Sequence, residues 1–197
     1  MTALHARATY HEALSRLNDR HLLRDLSYVA GRWVAGKANQ SFEVTDPASS
    51  ATLAWVSSLD KQETINAVDA AAEAFVAWRS LLPQQRSAIL RRWHDLMLEA
   101  REDLALIMTL EQGKPLAEAK GEIGSSAAYI LWFAEEGRRA YGDIVPSPWA
   151  DRRILVTKEA VGVIAAITPW YFPSSMLARK LGPALATIAA LTFLNPH

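Results

Sequence analysis

The stretch that decides the fold is residues 161–183, VGVIAAITPWYFPSSMLARKLGP. Residues 161–167 form an apolar run with β-branched residues and a single glycine, which is typical of a buried strand covered on both faces. Pro169 cannot donate a hydrogen bond to a neighbouring strand, so the strand ends before it. Pro173 and the two serines after it are typical of a helix start, with serine as the capping residue. The stretch therefore predicts a strand, a short loop and a helix.

Such a unit favours an α/β fold. In open α/β proteins, ligands bind at the carboxyl ends of parallel strands, beside helix N-termini whose free N–H groups attract anions. Trp170 lies in the predicted loop, where its ring can cover a flat ligand. A second interpretation of the same residues is a buried strand–helix unit in which Trp170 fills the core. The GxGxxG fingerprint of standard dinucleotide-binding loops is absent from the sequence.

Length and composition exclude several classes of function. The chain has 197 residues, half of them apolar, which allows one domain or one and a half with a sizeable core. Its 21 basic and 21 acidic residues cancel, which argues against a nucleic-acid partner and against an anionic membrane surface. The apolar residues 184–194 are fewer than the about 20 needed to cross a bilayer. The N-terminus lacks the apolar core of an export signal, so we expect a cytoplasmic protein.

The sequence contains no cysteine. Disulfides, thiolate metal sites and thiol nucleophiles are therefore excluded for these 197 residues. Ser174 and Ser175 lack the GxSxG elbow of a serine nucleophile, and helix capping explains them better. We predict no metal site, because the histidines are scattered and have no acidic cluster beside them. They are His5, His11, His21, His94 and His197.

Before the key stretch, the pattern predicts small β elements followed by a helical block. Short strands are expected at residues 28–34 (two, around a glycine turn), 41–45, 52–56 and 152–158, with an irregular link over 141–148. Helices are expected at residues 10–26, with a candidate break at Asn18, and at 60–78, 83–97, 103–111 and 115–140. This order suits an α/β fold whose parallel sheet has only begun, because the strands that should pair with residues 161–167 are missing on the C-terminal side.

Five segments resemble the aldehyde dehydrogenase superfamily, and within it the succinate-semialdehyde dehydrogenase branch. They are TLEQGKPLAEAKGE at 109–122, WFAEE at 132–136, YGD at 141–143, AAITPW at 165–170 and RKLGPALA at 179–186. The resemblance covers about residues 25–186 and implies the N-terminal part of an aldehyde dehydrogenase fold. It assigns residues 1–140 to the helical and β part of the dinucleotide-binding domain and 141–158 to the oligomerisation arm. Residues 159–186 become the first strand–helix unit, and 187–197 a divergent tail, which a shift of reading frame would explain.

The resemblance also implies an activity, the oxidation of an aldehyde such as succinate semialdehyde to the acid with NAD or NADP. In that family a cysteine thiolate adds to the aldehyde and an oxyanion hole holds the developing charge. Hydride then passes to the nicotinamide, and a glutamate-activated water releases the acid. The residues implied to lie along the dinucleotide are Ile167, Thr168, Pro169 and Trp170.

Two further positions are implied by the same resemblance. Arg179 matches the arginine that grips the remote carboxylate of the substrate, a task that suits its planar fork; without the resemblance it would be an ordinary solvated arginine. Tyr171 occupies the position of the asparagine whose amide donates to the oxyanion. The longer, rigid tyrosine is expected to be a defect, since losing one such donor costs on the order of 100- to 1,000-fold in rate.

Three interpretations of the chain stay open at this point. The first is an aldehyde oxidoreductase by descent that is inactive alone, because the family's catalytic cysteine and glutamate lie beyond the matched part. The second is a non-catalytic chain that forms a homo-oligomer or associates with intact dehydrogenase subunits through the arm. The third is a non-functional remnant that folds poorly, because an unfinished sheet exposes a strand edge and apolar surface.

Overall fold

The computed structural model describes residues 12–37, 40–187 and 189–194. Five α-helices form the bulk of this part of the chain. They are α1 (Lys61–Ser80), α2 (Pro83–Glu99), α3 (Arg101–Gln112), α4 (Leu116–Glu136) and α5 (Pro173–Ala186).

The strands pair two by two. They are β1 (Ser27–Val29), β2 (Arg32–Val34), β3 (Ser41–Thr45), β4 (Thr52–Ser57), β5 (Asp143–Val145), β6 (Ile154–Val156), β7 (Gly162–Ile167) and β8 (Ala189–Leu194). Three pairs are antiparallel, β1 with β2, β3 with β4 and β5 with β6. The fourth pair, β7 with β8, is parallel, and α5 connects its two strands. The chain therefore contains a strand–helix–strand unit at its C-terminal end, as an α/β fold requires.

The largest apolar cluster lies between α2, α4 and α5. Its buried members are Leu90, Met97, Ala127, Ile130, Ala134, Ala178 and Ala186. Small residues dominate the α4 and α5 side of this cluster, so the two helices can approach each other closely. The cluster fixes α5, and with it the loop that precedes α5, against the helical block.

Several local signals in the sequence are confirmed. The predicted N-cap of α1 forms a capping box, in which Asp60 Oδ1 accepts from the Glu63 N–H at 2.7 Å and Glu63 Oε2 accepts from the Asp60 N–H at 2.8 Å. Ala30 and Gly31 have φ angles of 50° and 78°, the conformation of a tight two-residue hairpin turn. Gly113 ends α3 in the left-handed conformation, with φ of 75°.

The predicted helix over residues 10–26 is wrong in the described part of the chain. Two short 3-10 turns, Glu12–Arg16 and Arg20–Leu22, flank a break at Asn18 and Asp19, which confirms the predicted break; the backbone of Asp19 is extended. The backbone N–H groups of both break residues donate to the carboxylate of Asp103 on α3, at 3.0 and 2.8 Å. This tertiary contact overrides the helix propensity of the local sequence. Residues 10 and 11 lie outside the described residues.

The predicted irregular link over residues 141–148 is also wrong, since β5 forms there and pairs with β6. Ile144 lies opposite Leu155 in this pair, and Val145 opposite Ile154. Branched side chains on both strands favour the hairpin over an irregular connection.

The structure also corrects two expectations for the strand at residues 161–167. Its expected partner is not missing, because β8 pairs with β7 along its full length, from Gly162 opposite Ala189 to Ile167 opposite Leu194. The strand is not covered on both faces either. Ile167 stays 57% exposed, and Val161, just before the strand, 93%. A two-stranded sheet has too few neighbours to bury both of its faces.

Alanine substitutions at two glycines should shift stability in opposite directions. At Gly113 the φ of 75° and a new Cβ only 3.1 Å from Pro47 Cγ predict a loss of about 1 kcal/mol or more. At Gly121, inside α4, a new Cβ meets nothing within 4 Å, so helix propensity predicts a gain of about 0.5 to 1 kcal/mol. Urea unfolding of the two variants measures both changes. Equal changes for the two would contradict the assignment of Gly113 as the left-handed cap.

Candidate functional site

The loop between β7 and α5 lies at the carboxyl end of β7 and exposes three aromatic rings in a row. Trp170 is 78% exposed, and Tyr171 and Phe172 are about half exposed. Each ring meets the next edge to face, with centroids 6.3 and 5.7 Å apart. The interpretation of Trp170 as a core residue is therefore wrong, and its ring is available to a ligand.

Two side chains from the α3–α4 junction hold the backbone of this loop. Gln112 Nε2 donates to the carbonyl oxygen of Trp170 at 2.7 Å, and Lys114 Nζ donates to the carbonyl oxygen of Tyr171 at 3.3 Å. The Lys114 ammonium also lies 4.1 Å from the centroid of the Phe172 ring. Hydrogen bonds from Gln112 and Lys114 therefore hold the backbone that carries the exposed rings.

Glu122 on α4 completes this support from a buried position, with its side chain 2% exposed. Its Oε1 accepts from the backbone N–H groups of Ser174 and Ser175, both at 3.0 Å. Its other oxygen, Oε2, forms an ion pair with Lys114 Nζ. A carboxylate at the first turn of α5 is favourable because free N–H groups and the helix dipole meet it there.

This arrangement corrects the predicted role of the two serines. The N-cap residue of α5 is Phe172, and no side-chain cap bond is made by it. The Ser175 hydroxyl lies 3.2 Å from the hydroxyl of Ser126 on α4. Because Glu122 occupies the N–H groups of Ser174 and Ser175, an external anion cannot use them.

The structure brings the four residues predicted to lie along a dinucleotide together at the end of β7. Ile167 and Trp170 are exposed, Pro169 is half-buried and Thr168 is buried. They form a mostly apolar edge. Their role in cofactor binding stays a prediction.

Arg179 lies on α5, about two helical turns beyond Tyr171, and is exposed. Its guanidinium carbon is 5.0 Å from the ring centroid of Tyr129 on α4. Stacking on an aromatic face orients a guanidinium and leaves its edge N–H groups for a planar anion. The geometry is thus compatible with carboxylate binding.

Sequence reasoning missed Gln112, Lys114 and Glu122. All three lie in the run at residues 109–122, which contributed only to the resemblance. A signal for Glu122 was present, because it sits on α4 between the buried small residues Ala119 and Ser126. A carboxylate on such a face requires a buried partner.

No group of three or more His, Cys, Asp or Glu side chains in the part of the chain that the structure describes is placed to hold a metal ion. None of the helices in these described ranges combines the length and the hydropathy of a membrane span.

Known proteins resemble the chain over most of its length. The succinate-semialdehyde dehydrogenase [NADP(+)] of Escherichia coli K12 is 51% identical over 171 residues, which cover 87% of this chain and 36% of that protein. The 3-sulfolactaldehyde dehydrogenase of Pseudomonas putida is 48% identical over 170 residues, 86% of this chain and 35% of that protein. The crystal structure of succinate-semialdehyde dehydrogenase from Burkholderia pseudomallei superposes with a TM-score of 0.90 at 50% identity, covering 91% of this chain and 37% of the other. The chain thus spans about a third of the length of these proteins.

The model of the aldehyde dehydrogenase family matches residues 33–191. The matched range continues past Ala186, where the resemblance was expected to end, and includes the first three residues of β8. The family match and the fold agree over most of the chain, and this chain belongs to the aldehyde dehydrogenase family.

Proposed function

We propose that these 197 residues form part of an NAD- or NADP-linked aldehyde oxidoreductase, the part that contains the loop between β7 and α5. Its substrate is an aldehyde with a remote anionic group, such as succinate semialdehyde. The observation that carries the substrate class is Arg179, exposed on α5 and stacked on Tyr129. The names of two relatives support this substrate class. Succinate semialdehyde carries a carboxylate, and 3-sulfolactaldehyde carries a sulfonate.

The described residues suit only part of a nicotinamide dinucleotide. Ile167 and Trp170 offer exposed apolar side chains to a flat ring system. The first turn of α5 does not offer a phosphate site, because Glu122 already accepts from its N–H groups.

The 197-residue polypeptide does not oxidise aldehydes by itself under this proposal. The family reaction requires a thiolate nucleophile, and the sequence contains no cysteine. Tyr171 stands where the family has the oxyanion-donating asparagine, and its ring packs edge to face between those of Trp170 and Phe172. Substituting asparagine at this position would not restore turnover, since no nucleophile would be present.

Binding of succinate at Arg179 tests the substrate class without needing turnover. We expect succinate to shift the backbone amide resonances of α5 around residue 179 in a concentration-dependent way, and the neutral analogue succinamide to leave them unchanged. Arg179→Gln should abolish the saturable binding, while Arg153→Gln, a matched change at another exposed arginine, should retain it. Equal binding by the two variants would contradict the assignment of Arg179.

A second candidate function is association with intact subunits of the same family. The observation that favours it is the β5–β6 hairpin, where the opposed Ile144 and Leu155 are 77% and 70% exposed. Paired apolar side chains that stay exposed on a hairpin indicate a contact surface.

Co-expression tests this association. We expect the chain to co-purify with a full-length family member, and an Ile144→Lys/Leu155→Lys variant to lose at least ten-fold of the captured partner. Val76→Lys, a change of the same kind at an exposed residue of α1, should have no effect. If the chain is recovered only as protease-sensitive aggregate, the interpretation as a non-functional remnant is correct instead.

A further inference from the structure

We propose that Lys114 and Glu122 are positioning residues that set the direction of the loop between β7 and α5. The proposal deepens the proposed function, because this loop bears Trp170 and the position of the oxyanion donor. Both side chains act on the backbone of the loop, and Lys114 also contacts the Phe172 ring.

The contacts are concentrated on a short piece of chain. Lys114 binds the carbonyl oxygen of Tyr171, and Glu122 binds the N–H groups of Ser174 and Ser175. The ion pair between the two side chains therefore joins the last loop residues to the first turn of α5. Gln112 adds a bond to the Trp170 carbonyl oxygen. Three side chains from one segment thus fix four backbone groups within six residues.

Capping alone does not account for this pair. Serine is among the preferred N-cap residues, and two serines are already present at the start of α5. A buried ion pair is a costly substitute, because both charges lose water when they enter the protein interior. The side chains of Lys114 and Glu122 are 11% and 2% exposed, so both charges have lost most of their contact with water. Unlike a local cap, however, the pair ties the loop to α4 and to the α3–α4 junction.

The consequence is a set orientation for the exposed rings. With the carbonyl groups of Trp170 and Tyr171 bound by Gln112 and Lys114, both side chains stay exposed. Phe172, at φ of −137° and ψ of 71°, then turns the chain into α5 under the Lys114 ammonium. Loss of the pair would free the backbone on either side of residue 171.

Amide hydrogen exchange on the full chain, followed by NMR, tests the proposal. In Glu122→Ala we expect the Ser174 and Ser175 amides to exchange about 10- to 100-fold faster, in line with the loss of charge-assisted bonds. Amides of the α2–α4 core should keep their protection. Glu122→Gln retains an acceptor oxygen and should restore most of the protection at both serines. Glu102→Gln, at the exposed ion pair with Lys120, is the matched control and should change neither amide.

Two results would overturn the proposal. One is unchanged protection of the Ser174 and Ser175 amides in Glu122→Ala. The other is an equal loss of protection at all amides that Glu122→Gln does not restore, which would indicate a purely structural role. If Glu122→Ala does not fold, the Lys114→Met variant tests the positioning role instead. That variant keeps the serine acceptor, and we expect altered amide shifts at Tyr171 and Phe172 with an intact core, whereas unshifted amides would contradict the positioning role.

These measurements use neither aldehyde nor cofactor. A failure here would leave the succinate test of Arg179 untouched, and a failure of that test would leave the exchange result standing.

Discussion

Alanine at Ile130 is expected to lower the free energy of unfolding by about 3 to 4 kcal/mol. Ile130 is 0% exposed and lies in the cluster that joins α2, α4 and α5. Its removal leaves a cavity beside Leu90 and Ala178, and helices packed through small residues have little freedom to close it. Because the cluster fixes α5, the same change loosens the support of the loop that precedes this helix.

Urea unfolding followed by circular dichroism measures this loss. The matched control is Ile89→Ala, the same chemical change at a residue of α2 that is 48% exposed, and we expect a loss of less than about 1 kcal/mol there. Similar losses at the two positions would mean that the helices do not pack around Ile130 as described.

Alanine at Asp103 should cost about 2 to 3 kcal/mol, since three hydrogen bonds to a buried charged acceptor are then lost. Asp103 is 5% exposed. Its Oδ1 accepts from the backbone N–H and the side-chain amide of Asn18, at 3.0 and 2.9 Å, and its Oδ2 from the Asp19 N–H at 2.8 Å. The carboxylate therefore holds the N-terminal segment against α3. Asp69→Ala, at an exposed position of α1, is the control and should be nearly neutral.

The Asp103 contact should also be visible in the pH dependence of stability. Burial acts to raise the pKa of Asp103, but the hydrogen bonds from Asp19 and Asn18 outweigh it and hold the pKa below its ordinary value. A carboxyl whose pKa is lowered on folding stabilises the protein above its unfolded pKa of about 3.9, and that contribution is lost as the pH falls through the folded pKa. The difference between the natural chain and Asp103→Ala should thus be full at neutral pH and shrink below about pH 4. A difference that grew on acidification would contradict the contact.

Elements specified by their own residues were predictable from sequence. Each of these signals deals with the unpaired backbone groups of one helix end, either by pairing them or, with proline, by lacking an N–H. They are the capping box at Asp60, the glycine at the end of α3 and the prolines that start α2 and α5. Such signals depend on neighbours within four residues. The same holds for the turn at Ala30 and Gly31, where local twist fixes the hairpin.

The distant partners of such positions were not predictable. The break predicted at Asn18 is held by a carboxylate 85 positions along the chain, and the predicted start of α5 is held by Glu122, more than 50 positions earlier. In both cases a buried carboxylate accepts from backbone N–H groups for which the local pattern predicted a helical bond or a serine cap. The strand β8 was missed because its partner β7 lies across a helix. Family resemblance located the loop, but only the folded chain placed Lys114 and Glu122 beneath it.

The claim that these 197 residues are inactive alone is tested by their rate of NADP or NAD reduction with succinate semialdehyde. The polypeptide must be homogeneous and free of any other subunit. A chain without cysteine has no thiolate to form the covalent intermediate, so we predict no aldehyde-dependent reduction above the rate without protein. Aldehyde-dependent formation of reduced cofactor that is proportional to the amount of this polypeptide would contradict the account.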